Sequence, residues 1–369
     1  CLNSPWRDHF FGVLETLAPY EIDGLFLDGP AGIAGGCFCP SCRARYRHEY
    51  GCEMDTAKNL DDFLTRSRGD FVREVYTRFK RLKPEALCYW NFPVTHPFTA
   101  NASLDIELPC NDILGTEGGF MFYGPASQAY LWMPSVAAKA LEAVAPDKPR
   151  VIFMAADQKP WSWYPHTPAE TRLCIASSVA NGASIWYGLH GATSILAREG
   201  ARAGVDLVRD LRRHEAWYDE TESAARTAVF FSYDTMRSYK ATVGESDLYG
   251  AAHGGKAFKG DFGQSFNGVC DVLARSSIPF DVVTDYRPVL DRVGRYDCIF
   301  MPTCACLSEQ TLARIRRFVQ EGGNLVATFD TSLYDENGRA RNGFGLADLF
   351  GVARIAGLTA YQNFNYFGI

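Results

Sequence analysis

The sequence has no apolar run approaching the roughly 18 residues that a membrane-spanning helix requires. It also lacks an excess of positive charge, since 37 Lys and Arg residues stand against 43 Asp and Glu residues, a net charge of -6. General nucleic-acid binders use a basic surface to displace counterions from phosphates. The sequence therefore predicts neither a membrane protein nor a protein that binds nucleic acid.

The remaining composition is that of a globular protein, with 47% hydrophobic and 22% charged residues. A chain of 369 residues predicts two domains, with one large barrel as the main exception. Several of the twelve cysteines lie inside apolar segments, where a free thiol behaves as a small hydrophobe, so we expect a reduced, cytoplasmic setting. The chain opens on Cys and ends in mid-pattern, so we also expect a fragment of a longer protein.

The first part of the chain, 1–222, alternates apolar strands with amphipathic helices. Five strands are predicted, and such uniformly apolar strands are typical of a parallel sheet buried on both faces. A polar or aromatic residue sits at or just after the carboxyl end of each strand, where a (β/α)8 barrel keeps its active site: Asp28, Asn91, Glu117, Asp157 and Tyr187. We therefore predict part of a TIM-type barrel whose first three strands lie upstream, with a doubly wound sheet as the competing fold.

A second α/β pattern begins at about residue 226. Its strands and helices predict a flavodoxin-like domain over 223–355, followed by the start of a further segment over 356–369. No G-x-G-x-x-G turn follows its first strand and no P-loop is present, so nucleotide binding has no sequence support.

The stretch "CFCPSC" spaces Cys37, Cys39 and Cys42 as C-x-C-x-x-C. Three thiolates at this spacing can reach one tetrahedral ion, and zinc requires a fourth ligand, for which Cys1 and Cys52 are the candidates. Four thiolates leave no open coordination position. The motif therefore predicts a structural zinc site, with a metal-free cysteine cluster as the alternative.

Asp28 and Glu117 follow different strands of the predicted barrel, and glycines flank both of them. Two carboxylates that converge at a barrel mouth suit glycoside hydrolysis, in which one group protonates the leaving oxygen while the other attacks the anomeric carbon or activates water. The alternative is that each carboxylate caps a helix or pairs with an arginine. Aromatic and polar side chains near the strand ends are candidates for binding a carbohydrate substrate: Trp90, Asn91, His96, Asp157, Trp161 and Tyr187.

The runs "CLNSPWRDHF", "GLFLDGP" and "CFCPSCRARYRHEYG" resemble those of glycoside hydrolases related to β-galactosidases with a trimerisation domain. Residues 226–350 resemble that domain, itself a relative of class I glutamine amidotransferases. The resemblance implies a homo-oligomer, either a trimer or a dimer, and a zinc ion held by four ligands: Cys1, Cys37, Cys39 and Cys42.

The sequence departs from the galactosidase pattern on the fourth and seventh barrel strands, which here end in "FLDGP" and "MAADQKP". "LFLDG" is similar to α-L-fucosidases, whose nucleophile is an Asp at that position. The resemblance thus implies a retaining hydrolase of galactoside- or fucoside-like sugars, with Asp28 as nucleophile, Glu117 as acid/base and Asp157 as the reserve carboxylate. Two alternatives remain: a non-catalytic carbohydrate-binding or assembly protein, and an amidotransferase-like activity at Cys304 or Cys306.

Overall fold

Two parallel sheets organise the chain in a computed structural model. The model describes the following residues: 1–29, 36–54, 60–92, 94–95, 101–118, 131–157, 165–189, 193–239 and 262–352. Within these ranges the predicted fold class is confirmed, because a curled five-stranded sheet is followed by a four-stranded α/β sandwich.

The first sheet contains only parallel pairs and has the strand order β1-β2-β3-β4-β5. Its strands are β1 (Gly24–Leu27), β2 (Leu87–Asn91), β3 (Ile113–Glu117), β4 (Arg150–Ala155) and β5 (Ser184–Gly188). The accompanying helices are α1 (Trp6–Glu15), α2 (Pro40–Tyr50), α3 (Leu60–Leu82), α4 (Asn101–Glu107), α5 (Met133–Val144), α6 (Pro168–Val179) and α7 (Glu199–Arg213). This alternation is the (β/α) repeat that the sequence predicts.

The second sheet has the order β7-β6-β8-β9 and is also parallel. Its strands are β6 (Thr227–Phe231), β7 (Phe280–Thr284), β8 (Cys298–Met301) and β9 (Asn324–Ala327). Its helices are α8 (Tyr233–Ser238), α9 (Phe262–Arg275), α10 (Glu309–Gln320) and α11 (Ala347–Phe350).

Local sequence signals set the ends of several helices. Thr167 caps α6 in a reciprocal capping box with Glu170, and Pro168 occupies the first turn, where its missing N–H costs nothing. Helix α2 ends at Gly51, which takes the left-handed conformation with φ 67° that glycine adopts without strain.

The first sheet is curled into a partial barrel. Phe26 on β1 and Trp186 on β5 lie on the two outermost strands, yet their ring centroids are only 4.7 Å apart. Tyr89 and Phe153, from strands between them, complete this aromatic group at 4.9 Å from Phe26 and Trp186 respectively. The four rings define the concave face of the sheet.

Burial differs between the strands of this sheet. The two outermost described strands, β1 and β5, alternate between more and less exposed positions, and the rings of Phe26 and Trp186 are 39% and 38% exposed. The central residues of β3 are buried on both faces. In the second sheet, β6 and β7 are buried on both faces.

The two sheets share one hydrophobic core, to which α5 contributes on one side and β6 and β7 on the other. A buried polar contact reinforces this junction: Lys139 Nζ on α5 lies 2.8 Å from Asp281 Oδ1 on β7. Ser223 and Tyr296 donate hydrogen bonds to the same carboxylate. Burial alone would raise the pKa of Asp281, but the ammonium group and these donors lower it below its ordinary value.

No helix in the described part of the chain is both long and apolar enough to cross a membrane.

We expect Lys139→Met to lower the free energy of unfolding by about 1–3 kcal/mol at pH 7, because Asp281 loses its cation while remaining 5% exposed. A carboxylate whose folded pKa is lowered stabilises the fold above its unfolded pKa and loses that contribution in acid. The difference between variant and wild type in urea unfolding should therefore shrink below pH about 4.

The control for this experiment is Arg226→Met, which removes the exposed ion pair between Arg226 and Asp297. It should barely move the unfolding midpoint. An equal loss of stability in both variants would contradict the role of the buried contact.

Candidate functional site

The carboxyl ends of β1, β2 and β3 bring Asp28, Asn91 and Glu117 together. Each residue continues the alternation that points Phe26, Tyr89 and Gly115 toward the concave face. The amide nitrogen Nδ2 of Asn91 lies 3.0 Å from Asp28 Oδ1 and 3.3 Å from Glu117 Oε1. Three of the residues predicted from the sequence are therefore in one cluster, with Asn91 between the two carboxylates.

The two carboxylates differ in their surroundings. Burial raises the pKa of Glu117 to about 7; the hydrogen bond from Asn91 opposes this shift, and the negative charge of Asp28 adds to it. Asp28 is exposed. A pair with one buried, proton-retaining carboxyl and one exposed carboxylate can divide the roles of acid and nucleophile.

Tyr89 lies two residues before Asn91 on the same face of β2, and its ring covers Gly115. A Cβ at position 115 would fall 1.9 Å from the tyrosine hydroxyl oxygen, so only glycine fits beneath this ring. Burial raises the pKa of Tyr89, and the charges of Glu117 and Asp28 raise it further. Our sequence reasoning missed Tyr89, although the two-residue period counted back from Asn91 would have placed it on this face.

Trp90 does not belong to this cluster. It is 4% exposed and faces the opposite side of β2, where it packs edge-on against Phe71 of α3 at a centroid distance of 6.5 Å. The substrate-binding role predicted for Trp90 does not fit this position, because adjacent residues of a strand point to opposite faces.

Tyr187 also faces the helices. Its hydroxyl donates to the backbone oxygen of Gly200 at 3.4 Å, and its ring packs at Gly204 of α7, where a Cβ would come within 2.8 Å. The predicted contact with substrate does not fit this orientation. The residue of β5 that does reach the concave face is Trp186.

Asp157 follows β4 and is 2% exposed. It forms an isolated bridge with Pro165, next to the buried His166. Burial lowers the pKa of His166, against the charges of Glu170 and Asp157 and a backbone contact with Asp157, so this histidine is held toward its neutral form. His96 and Trp161, two further candidates for substrate binding, lie outside the described residues.

The four cysteines Cys1, Cys37, Cys39 and Cys42 come together beside the carboxyl end of β1, with their sulfur atoms within 4.8 Å of one another. Cys1 Sγ is 3.3 Å from Cys42 Sγ and 3.5 Å from Cys39 Sγ. Thiolates around a tetrahedral ion at a metal–sulfur distance of about 2.3 Å lie about 3.8 Å apart, so this cluster could hold a metal ion. The other candidate for fourth ligand, Cys52, is exposed and is not part of the group.

A shell of polar contacts supports the cysteine cluster. Asn3 donates from Nδ2 to Cys42 Sγ at 3.4 Å and to Ser67 Oγ at 3.2 Å. Arg45 of α2 donates in turn to Asn3 Oδ1 at 2.8 Å. Such contacts orient ligands and stabilise thiolate charge. The sequence signal for Asn3 is its place two residues after Cys1.

The geometry does not support an amidotransferase-like centre in the second sheet. Cys304 and Cys306 are fully buried, and burial raises the pKa of the Cys304 thiol well above its usual value. The nearest described partners of Cys304 Sγ are the backbone oxygens of Phe230 and Pro302. No histidine occurs in the described part of this domain, and a thiol without a base is a poor nucleophile.

Comparison with known proteins agrees with the observed architecture. Residues 225–362 match the family model described as "Beta-galactosidase trimerisation domain". The resemblance to trimerisation-domain β-galactosidases is confirmed. Over 65 residues, the chain is 42% identical to the β-galactosidase BbgII of Bifidobacterium bifidum, a stretch covering 18% of this chain and 9% of that protein.

Two solved structures show the same fold over most of the chain. The β-galactosidase from Bacillus circulans sp. alkalophilus superimposes with a TM-score of 0.70 and 16% identity, covering 94% of this chain and 58% of that one. The α-L-fucosidase isoenzyme 2 from Paenibacillus thiaminolyticus gives a TM-score of 0.66 and 16% identity, covering 90% and 46%. The chain thus spans about half the length of these two enzymes.

Proposed function

We propose that this chain carries the active-site pair of a retaining glycoside hydrolase acting on a galactoside- or fucoside-like sugar. The observation that carries the proposal is the contact of one amide nitrogen, Asn91 Nδ2, with both Asp28 and Glu117. The similarity to a β-galactosidase and to an α-L-fucosidase supports this class of substrate.

The closeness of the carboxylates is compatible with retention of configuration. The two oxygens that share Asn91 Nδ2 lie within about 6.3 Å of each other. Retaining enzymes place their two carboxyl groups about 5–5.5 Å apart, a narrower gap than the roughly 6.5–9.5 Å of inverting enzymes, which must fit a water between them. Retaining enzymes need only the narrower gap because one carboxylate attacks the sugar directly.

In the first step of the proposed mechanism, Asp28 attacks the anomeric carbon while the glycosidic C–O bond breaks. Glu117, whose pKa is raised to about 7, is the carboxyl that carries a proton in part of the population at neutral pH, and it gives that proton to the departing oxygen. In the second step Glu117, now ionised, takes a proton from water as that water attacks the same carbon. The ester bond to Asp28 breaks, and both carboxyl groups return to their starting states.

The rival, a carbohydrate-binding protein without catalysis, predicts Asp28 tied to an arginine. Its described partner is instead the neutral amide of Asn91. The match of residues 225–362 to a trimerisation domain supports a homo-oligomer, which we propose as the functional state.

We propose zinc as the ion of the cysteine cluster, because a donor set of four soft thiolates suits this metal. With four protein ligands the ion has no position left for substrate, so its role is structural. It would join Cys1, ahead of α1, to Cys37 and Cys39 in the loop after β1 and to Cys42 on α2.

We expect one zinc per chain by elemental analysis, lost in Cys39→Ser and retained in the matched control Cys52→Ser. Removal of the metal should lower the thermal midpoint and impair activity, because the loop after Asp28 loses an anchor. If the four sulfur atoms bind one ion, the cobalt-substituted wild type should show thiolate-to-cobalt charge-transfer absorption. Equal zinc content in both serine variants would contradict the site.

Asp28→Gly should reduce turnover of nitrophenyl galactosides or fucosides by on the order of 10³-fold or more, measured in the full-length protein. Azide should then attack from the vacated face and give a glycosyl azide of inverted configuration, identified by NMR. The matched variant Glu117→Gly, with the nucleophile intact, should give the azide of retained configuration. The same product stereochemistry from both variants would reject the assignment of roles.

The value of kcat/KM should fall as pH rises through about 7, because Glu117 must be protonated in the first step. Glu117→Gln should remove this basic limb and lower kcat by about 10²–10⁴-fold on substrates with poor leaving groups. Nitrophenyl substrates with activated leaving groups should lose less in the first step. A basic limb unchanged in Glu117→Gln would exclude Glu117 as the acid.

A further inference from the structure

We infer that Asn91 is a positioning residue that holds the two carboxylates together through its amide nitrogen, and that it is not a ligand for sugar hydroxyls. The inference rests on the proposed function of Asp28 and Glu117. It changes the role that the sequence suggests for Asn91, which is substrate binding.

Both N–H donors of the Asn91 amide are engaged by the carboxylates. An asparagine amide has two N–H donors, and the geometry uses both: one toward Asp28 at 3.0 Å and one toward Glu117 at 3.3 Å. Rotating the amide by 180° would set its carbonyl oxygen against the Asp28 carboxylate, two acceptors with no proton between them. The orientation is therefore fixed by its neighbours, and no N–H remains for a substrate hydroxyl.

The strand that carries the amide is held by backbone hydrogen bonds before and after Asn91. Asn91 pairs with Gly115 in the parallel ladder, and the next backbone N–H, from Phe92, donates to Gly115 O at 2.8 Å. On the opposite face the preceding residue, Trp90, is buried, and its backbone N–H donates to Asn111 Oδ1 at 2.7 Å. A short side chain on a backbone whose preceding and following N–H groups are both held toward β3 fixes the position of Nδ2.

The charges around Glu117 point to the same role for Asn91. The described titratable group whose charge acts on Glu117 is Asp28 from β1. Tyr89 from β2 is neutral where Glu117 titrates, because its own pKa is raised, and β4 presents the apolar Phe153 at the paired position. Burial and the charge of Asp28 both favour the protonated form of Glu117. The N–H of Asn91 is the one described contact that favours its ionised form, so it limits how far the carboxyl shifts.

The test compares Asn91→Ala and Asn91→Asp with Trp90→Phe, a control on the same strand whose side chain faces the helices. Both Asn91 variants should lower kcat by about 10- to 100-fold, because a hydrogen bond to a charged group is lost. KM should change little. A sugar ligand would behave in the opposite way, with KM raised and kcat nearly unchanged.

The pH dependence separates positioning from simple disruption. In Asn91→Ala the basic limb of kcat/KM should move up by about one pH unit, because Glu117 loses the donor that favours its ionised form. Asn91→Asp should move it further, since a third carboxylate adds a like charge. Trp90→Phe should leave the limb in place. A limb unmoved in both Asn91 variants would overturn the inference.

An infrared titration of the Glu117 carboxyl, assigned by its absence in Glu117→Gln, gives a readout that does not require activity. A higher midpoint in Asn91→Ala would support the bridging role of Asn91 even if no glycoside were hydrolysed. A lack of hydrolysis would reject only the proposed function. An unchanged midpoint would overturn the bridge, whatever the activity.

Discussion

The site depends on the register of three parallel strands. Leu27 of β1 pairs with Trp90 of β2, and Asn91 pairs with Gly115 of β3. Because side chains alternate with a period of two, the residue after β1, the last residue of β2 and the last residue of β3 all point to the concave face. A slip of one residue in β2 would turn Asn91 toward the helices and separate the carboxylates from their shared donor.

This register creates an electrostatic problem that the amide resolves. Two carboxylates close together repel each other, and partial burial strengthens the repulsion. One response is protonation of the more buried group, and Glu117 shows it through a pKa raised to about 7. The other is a neutral donor between the two groups, which lowers the repulsion without removing the asymmetry. A cation such as arginine would instead favour ionisation of both carboxylates and remove the acid.

Much of this arrangement could be predicted from the sequence, because strand ends and their polar residues are local features. Asp28 and Glu117 come directly from that pattern, and the spacing of Cys37, Cys39 and Cys42 is a property of one short loop. The residues whose orientation does not match their predicted role differ in strand parity. Trp90 and Tyr187 lie near the carboxyl ends of their strands, as expected, but their side chains face the helices and not the concave face. An apolar run gives no sign of which residue points toward which face. Phe26 and Trp186 show the same limit, because the exposure of the concave face depends on which elements cover it.

The cysteine cluster also bears on the position of Asp28. Strand β1 has four residues and pairs with β2, and Asp28 directly follows its last residue. The backbone then turns at Gly29, with φ 96°, and the loop ends at Gly36, with φ 81°, directly before Cys37. Glycine adopts both conformations without strain. Four thiolates on one ion would therefore restrain the loop at its far end, and through it the carboxylate that must stay within reach of Asn91.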